Sequence, residues 1–109
     1  MKAKPVVPRA IANQDVDRAI EYYLREGSQL AALNFIDALE QALAHLGRYP
    51  ASGSQRYAHE LQVPGLRSWP MSRHPYVIFY VDRPDVVDVW RVLHGQRDIP
   101  SSLGEPGDA

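Results

Sequence analysis

The sequence predicts an α+β domain in the order β-α-α-β-β-β: a short N-terminal strand, an antiparallel helix hairpin and a small antiparallel sheet under it. Three observations carry this. Apolar residues recur at helical spacing from Val16 to Leu46, the pattern turns to alternation after Arg56, and the connections between segments are short. At 109 residues and 45% hydrophobic content, one core is expected, with a single domain over 1–100. Residues 101–109 hold two glycines and a proline and read as a loose tail.

The first strand is Pro5-Val6-Val7-Pro8. Proline donates no hydrogen bond, so this strand belongs at a sheet edge and is short. Val16, Ala19, Ile20, Tyr23 and Leu24 then mark one face of a first helix, with Asn13 or Asp15 as candidate cap and Gly27 as its stop. Ser28 caps a second helix whose stripe is Ala32, Phe35, Ile36, Leu39, Ala42, Leu43 and Leu46, and Gly47 and Pro50 end it. So short a link makes the two helices an antiparallel hairpin. Beyond a polar loop, His59 to Val63 reads as a strand with Leu61 and Val63 inward, followed by a Pro64-Gly65 turn. Arg67, Trp69 and Met71 alternate as an extended continuation. Tyr76 to Val81 and Val86 to Leu93 are dense in β-branched and aromatic residues and form a hairpin across Asp82-Arg83-Pro84-Asp85.

Composition excludes several functions. Twelve Lys/Arg against thirteen Asp/Glu argue against holding nucleic acid by bulk charge. The absence of cysteine removes disulfides, thiolate catalysis and cysteine-ligated metal, and fits a cytoplasmic protein. No apolar run is long enough to span a membrane, and residues 1–12 lack the apolar centre of a signal peptide. No metal-spaced histidines, glycine-rich nucleotide loop or serine-hydrolase elbow occurs, so no cofactor or metal is expected.

The residues suited to chemistry or binding lie in the second half, where residues 48–98 carry seven arginines against five acids. Arg91 falls in an otherwise apolar row with Val87, Val89 and Leu93, so it needs a carboxylate (Glu60 or another acid), backbone carbonyls or a bound phosphate. His94 at the strand's end is either a hydrogen-bonding residue or a general acid-base. Trp69 between Arg67 and Arg73 either completes the core, the favoured reading, or stacks on a base. Tyr76 and Tyr80 share one strand face, and Val77, Phe79 and Val81 the other. A helix pair covers only one of these faces, so the other is expected to be partly exposed or covered by a partner. The chain is rich in binding residues and poor in catalytic pairs.

Three runs resemble the ParE branch of the ParE/RelE toxin superfamily: Pro64-Gly65-Leu66-Arg67-Ser68-Trp69-Pro70, Tyr76-Val77-Ile78-Phe79-Tyr80, and Arg91-Val92-Leu93-His94-Gly95-Gln96-Arg97-Asp98. The last is the most specific, because that branch commonly closes its final strand with Arg-x-Leu-His-Gly-x-Arg-Asp. The likeness extends to Ile20-Glu21-Tyr22-Tyr23 and Leu46-Gly47-Arg48-Tyr49-Pro50, covering residues 5 to 100. Pro5, Pro8 and His74-Pro75 depart from the family pattern and affect local sheet geometry.

The resemblance implies the toxin of a type II toxin–antitoxin module, cytoplasmic, which binds and poisons DNA gyrase without catalysing a step. Its partner would be a ParD-like ribbon-helix-helix antitoxin, with operator DNA reached only through that antitoxin. The residues it points to for antitoxin or target contact are Arg67, Trp69, Tyr76, Tyr80, Arg91, His94 and Arg97. The alternatives are a RelE-type ribosome-dependent RNase, using Arg67, Arg73, Arg91 and His94, or a degenerate member that only binds antitoxin.

Overall fold

The computed structural model describes residues 3–96. Its elements are β1 (Val6–Pro8), α1 (Ala10–Glu26), α2 (Gln29–Arg48), a 3-10 turn (Pro50–Ser52), α3 (Arg56–Glu60), β2 (Leu66–Pro70), β3 (Tyr76–Asp82) and β4 (Val87–His94). The sheet order is β1-β4-β3-β2, with β1 parallel to β4 and the remaining pairs antiparallel. The α1–α2 hairpin covers one face of the sheet, which is the α+β arrangement the sequence predicts.

The start of α1 differs from the expected one. The helix begins at Ala10, and its N-cap residue Arg9 is extended and makes no side-chain cap. The Arg9 N–H instead donates to the Val89 carbonyl at 2.9 Å, so the end of β1 pairing determines where the helix starts. Asp15 therefore lies inside the helix, among the buried residues Ala12 and Ala19. Val16, Ile20 and Tyr23 pack against the core as expected, but Leu24 is 51% exposed. The buried stripe is centred on residues 12, 15 and 19, which puts Leu24 at its margin.

α2 follows its pattern. The Ser28 Oγ accepts the Ala31 N–H at 3.1 Å, and Ala32, Phe35, Leu39, Ala42 and Leu46 are buried. Gly47 lies within the helix rather than ending it; Tyr49 is the C-cap. A Cβ at Gly47 would meet the Lys4 carbonyl at 3.0 Å and Val6 Cγ2 at 3.2 Å, so the glycine admits the N-terminal chain. The Lys4 N–H closes that crossing by donating to the Gly47 carbonyl at 2.8 Å.

The strand expected over His59–Val63 is instead α3 and the turn that ends it. The Leu61 N–H donates to the Tyr57 carbonyl at 2.9 Å, the Val63 N–H donates to the Ala58 carbonyl at 3.1 Å, and Gln62 takes a φ of 54°. Tyr57, Ala58 and Leu61 share helical spacing and pack, with Val63, on Leu66, Phe79, Val81 and Leu93. The second sheet face is thus partly covered by this chain itself.

β4 also corrects the expected alternation. The register steps between Phe79↔Arg91 and Tyr80↔Val89, which makes Trp90 an extra residue in the strand. Before the bulge Val87 and Val89 join the hairpin-side core; after it Val92 joins them and Leu93 joins the opposite cluster. The predicted row of Val87, Val89, Arg91 and Leu93 is therefore broken at its middle.

Candidate functional site

Arg91 has its acid partner inside the fold. Its Nε donates to Asp15 Oδ2 at 2.8 Å and its terminal nitrogen to Oδ1 at 2.9 Å, a bidentate pair. The two side chains are 16% and 3% exposed, so the pair is largely dry. β1 runs beside β4 only as far as Val89. The Val92 N–H lies past that pairing and donates to Asp15 Oδ2 at 3.1 Å. One buried carboxylate thus anchors the arginine and satisfies a strand-edge amide. The acid is Asp15, not Glu60, which bonds Arg56 at the surface.

Arg67 and Tyr80 face each other across β2 and β3 and hold the segment after α2. Arg67 donates to the carbonyls of Ala51 and Gly53 at 3.1 and 2.8 Å. The Tyr80 hydroxyl donates to the Pro50 carbonyl at 2.7 Å and accepts the Gly53 N–H at 2.9 Å. Tyr80 is fully buried, and that burial pushes its phenol above its ordinary value. This tyrosine is core and presents no surface to a partner.

The remaining predicted residues are more peripheral. Trp69 is half-buried against the core and stacks on His45, with ring centroids 4.5 Å apart. Ser52 donates its hydroxyl to the Tyr49 carbonyl at 2.6 Å, which leaves its oxygen to accept from His45 Nε2 at 3.2 Å. Tyr76 is buried beside Phe35 and meets the His94 ring edge-on at 5.5 Å. The Nδ1 of His94, half-buried, accepts the Gln96 N–H at 3.2 Å, so this nitrogen carries no proton in that arrangement. Arg73 is exposed, with a φ of 62°, in the turn between β2 and β3. Arg97 and the tail at 101–109 lie outside the described residues.

The fold therefore pairs Tyr76 with His94 and Arg67 with Tyr80, and commits Arg67 and Arg91 to internal acceptors. Among the described residues, no three His, Cys, Asp or Glu side chains are grouped to hold a metal ion. No described helix is long and apolar enough to cross a membrane.

One cluster escapes sequence reading. Asp88 on β4 accepts from Arg9 Nε and its terminal nitrogen at 3.1 and 3.0 Å, from Arg83 Nε at 2.9 Å and from Trp90 Nε1 at 3.2 Å. The Arg9 guanidinium also lies over the Trp90 ring, 4.5 Å from its centroid. No local pattern joins residues 9 and 88; only the bulge and the parallel β1 bring them together. The Arg9 hydrogen bonds, aided by Arg83 and Trp90 against the opposing effect of burial, hold the Asp88 carboxyl below its usual range. Its contribution to stability is present above the unfolded-state value near pH 4 and fades as pH falls through the lower folded value. The Asp88→Asn protein should therefore melt below the parent at neutral pH, with the gap closing beneath about pH 4. Thermal melts by circular dichroism across pH 2 to 7 read this directly, and a constant gap would contradict it.

The family described as the ParE toxin of the type II toxin-antitoxin system parDE matches residues 6–99. This chain belongs to the ParE toxin family. Its fold is similar to a solved chain of the chromosomal ParDE toxin–antitoxin system from P. aeruginosa, with a TM-score of 0.71. That likeness covers 84% of this ParE-family chain and 96% of the other, at 16% sequence identity. No curated protein sequence matches. Membership spans both the helix hairpin and the sheet, so the Asp15–Arg91 pair joins the two parts of one ParE domain.

Proposed function

We propose that this ParE-family chain is a cytoplasmic toxin that binds DNA gyrase and poisons it, and that a ParD-like ribbon-helix-helix antitoxin neutralises it. Operator DNA is engaged only through that antitoxin. The observation that carries this reading is the family match over residues 6–99. The internal roles of Arg67 and Arg91 support binding over RNA cleavage, since two of the four groups that cleavage would recruit are tied to Gly53 and Asp15. Trp69, His94 and Arg97 are assigned to an antitoxin- or target-binding face, with Arg67 and Arg91 fixing the strands that carry Trp69 and His94, and Tyr76 backing that face from beneath. Tyr80 supports that face from the core.

The test is supercoiling by purified gyrase with this protein titrated in. Supercoiling should be lost, linear plasmid should accumulate, and the antitoxin should reverse both. Folded, antitoxin-binding protein that leaves gyrase untouched would overturn the gyrase assignment. Cleavage of translated messenger RNA abolished by His94→Ala would replace it with the RNase reading.

A further inference from the structure

We infer that residues 55–65 form a detachable flap: the segment opens as a unit while the rest of the fold stays closed, and it uncovers an apolar face made by Leu66, Phe79, Val81 and Leu93. This device belongs to the fold and stands whether or not the toxin reading does.

Every hydrogen bond of the segment is local. The Ala58 N–H donates to the Gln55 carbonyl at 3.0 Å and the Leu61 N–H to that of Tyr57 at 2.9 Å. The Gln62 and Val63 N–H groups donate to the His59 and Ala58 carbonyls at 3.4 and 3.1 Å, which closes α3 on itself with Gln62 in the left-handed position. At the two ends, the Arg56 N–H donates to Ser54 Oγ, and the Val63 carbonyl accepts the Leu66 N–H. The Arg56 guanidinium turns to Glu60 and the Tyr57 ring. Among the described residues, no hydrogen bond or ion pair ties residues 55–65 to the sheet face they cover.

Apolar contact alone therefore holds the flap down. Tyr57, Ala58, Leu61 and Val63 pack on the buried face, with the Tyr57 ring edge-on to Phe79 at 5.3 Å. None of these four is itself fully buried. α3 is five residues long and has no side-chain cap at Gln55, so it does not persist without the sheet beneath it. Opening gives up those contacts, frees the backbone and breaks no bond to another element.

The flanks are fastened, in contrast to the segment between them. Ser54 and Ser68 exchange both backbone hydrogen bonds at 2.9 Å, and Gly53 is held by Arg67 and the Tyr80 hydroxyl. Downstream, Leu66 enters β2 opposite Val81, just after Gly65 turns the chain at a φ of 83°. Both anchors lie on β2, so the segment is a loop with its ends held close together, and it leaves the sheet without unzipping either one.

The chain contains no cysteine, which makes opening measurable with a single introduced thiol. Val81→Cys puts that thiol beneath the flap, and Val92→Cys puts it at similar burial in the hairpin-side core. In native buffer, a soluble aromatic disulfide reagent should modify the Val81→Cys protein at least about tenfold faster than the Val92→Cys protein. The first rate should stay nearly flat in low denaturant, and the second should climb steeply, since only global unfolding reaches it. Equal rates with the same denaturant dependence overturn the flap. Hydrogen exchange on the unmodified chain tests it without any substitution. The Leu61 and Val63 amides should exchange together, ahead of the β3 amides and with a weak denaturant dependence. Exchange of those two in step with β3, through global unfolding alone, overturns it equally.

Discussion

Asp15→Ala is expected to destabilise the protein by about 3–5 kcal/mol, the usual cost of breaking a buried ion pair from one side. The substitution takes away the bidentate acceptor of Arg91 and, with it, the carboxylate that accepts the Val92 N–H at that strand edge. Both lie where water enters poorly, since the Asp15 side chain is nearly inaccessible. Denaturant midpoints measure the loss. A decrease under about 1 kcal/mol would mean that Arg91 reaches an equivalent acceptor and that the pair is not structural. Replacing both partners with apolar residues, Asp15→Leu with Arg91→Met, should cost far less than either half-pair, because no buried charge remains. Any effect of Arg91 variants on antitoxin binding has to be read against this loss of folding.

Gly53→Ala is expected to cost about 2–4 kcal/mol through overpacking and the disturbed hydrogen bonds beneath it. Its backbone, at φ −70° and ψ 154°, is open to any residue, so conformation is not what asks for glycine. Space is. A Cβ there would lie 2.9 Å from Cε1 and Cζ of Tyr80 and would collide with the hydroxyl. Tyr80 is enclosed in the core and cannot retreat without surrendering its bonds to Pro50 and Gly53. Tyr80→Phe alone should cost about 1–2 kcal/mol, and Gly53→Ala made on that background should cost less than in the parent. Strict additivity of the two in chemical denaturation would show that the close approach is not the cause.

The sequence makes some of these features legible and hides others for physical reasons. Ser28 and the stripe of α2 are local signals, and their helix formed as the spacing required. The β3 run of aromatic and branched residues is equally local. His59 to Val63, in contrast, is five residues long, too short for alternation to be told from one helical turn, and α3 won because Tyr57, Ala58 and Leu61 could cover the sheet together. An arginine in an apolar row announces that Arg91 needs an acid, yet Asp15 lies 76 positions away and only the packing of α1 on β4 selects it. An acid at a buried position of the α1 stripe was the matching signal from the other side. The bulge at Trp90 has no sequence mark, and the corner joining Arg9, Asp88 and Arg83 depends on it together with the parallel β1.

The short bridge between Ser54 and Ser68 closes the side of the sheet opposite β1, where each N–H donates to the other's carbonyl at 2.9 Å. A sheet margin with free amides is a template on which like chains polymerise. With Ser54 occupying that template beside Ser68, copies of this chain meet without a ladder to extend at that point of the margin. Edge-to-edge pairing of like chains is thereby disfavoured at β2.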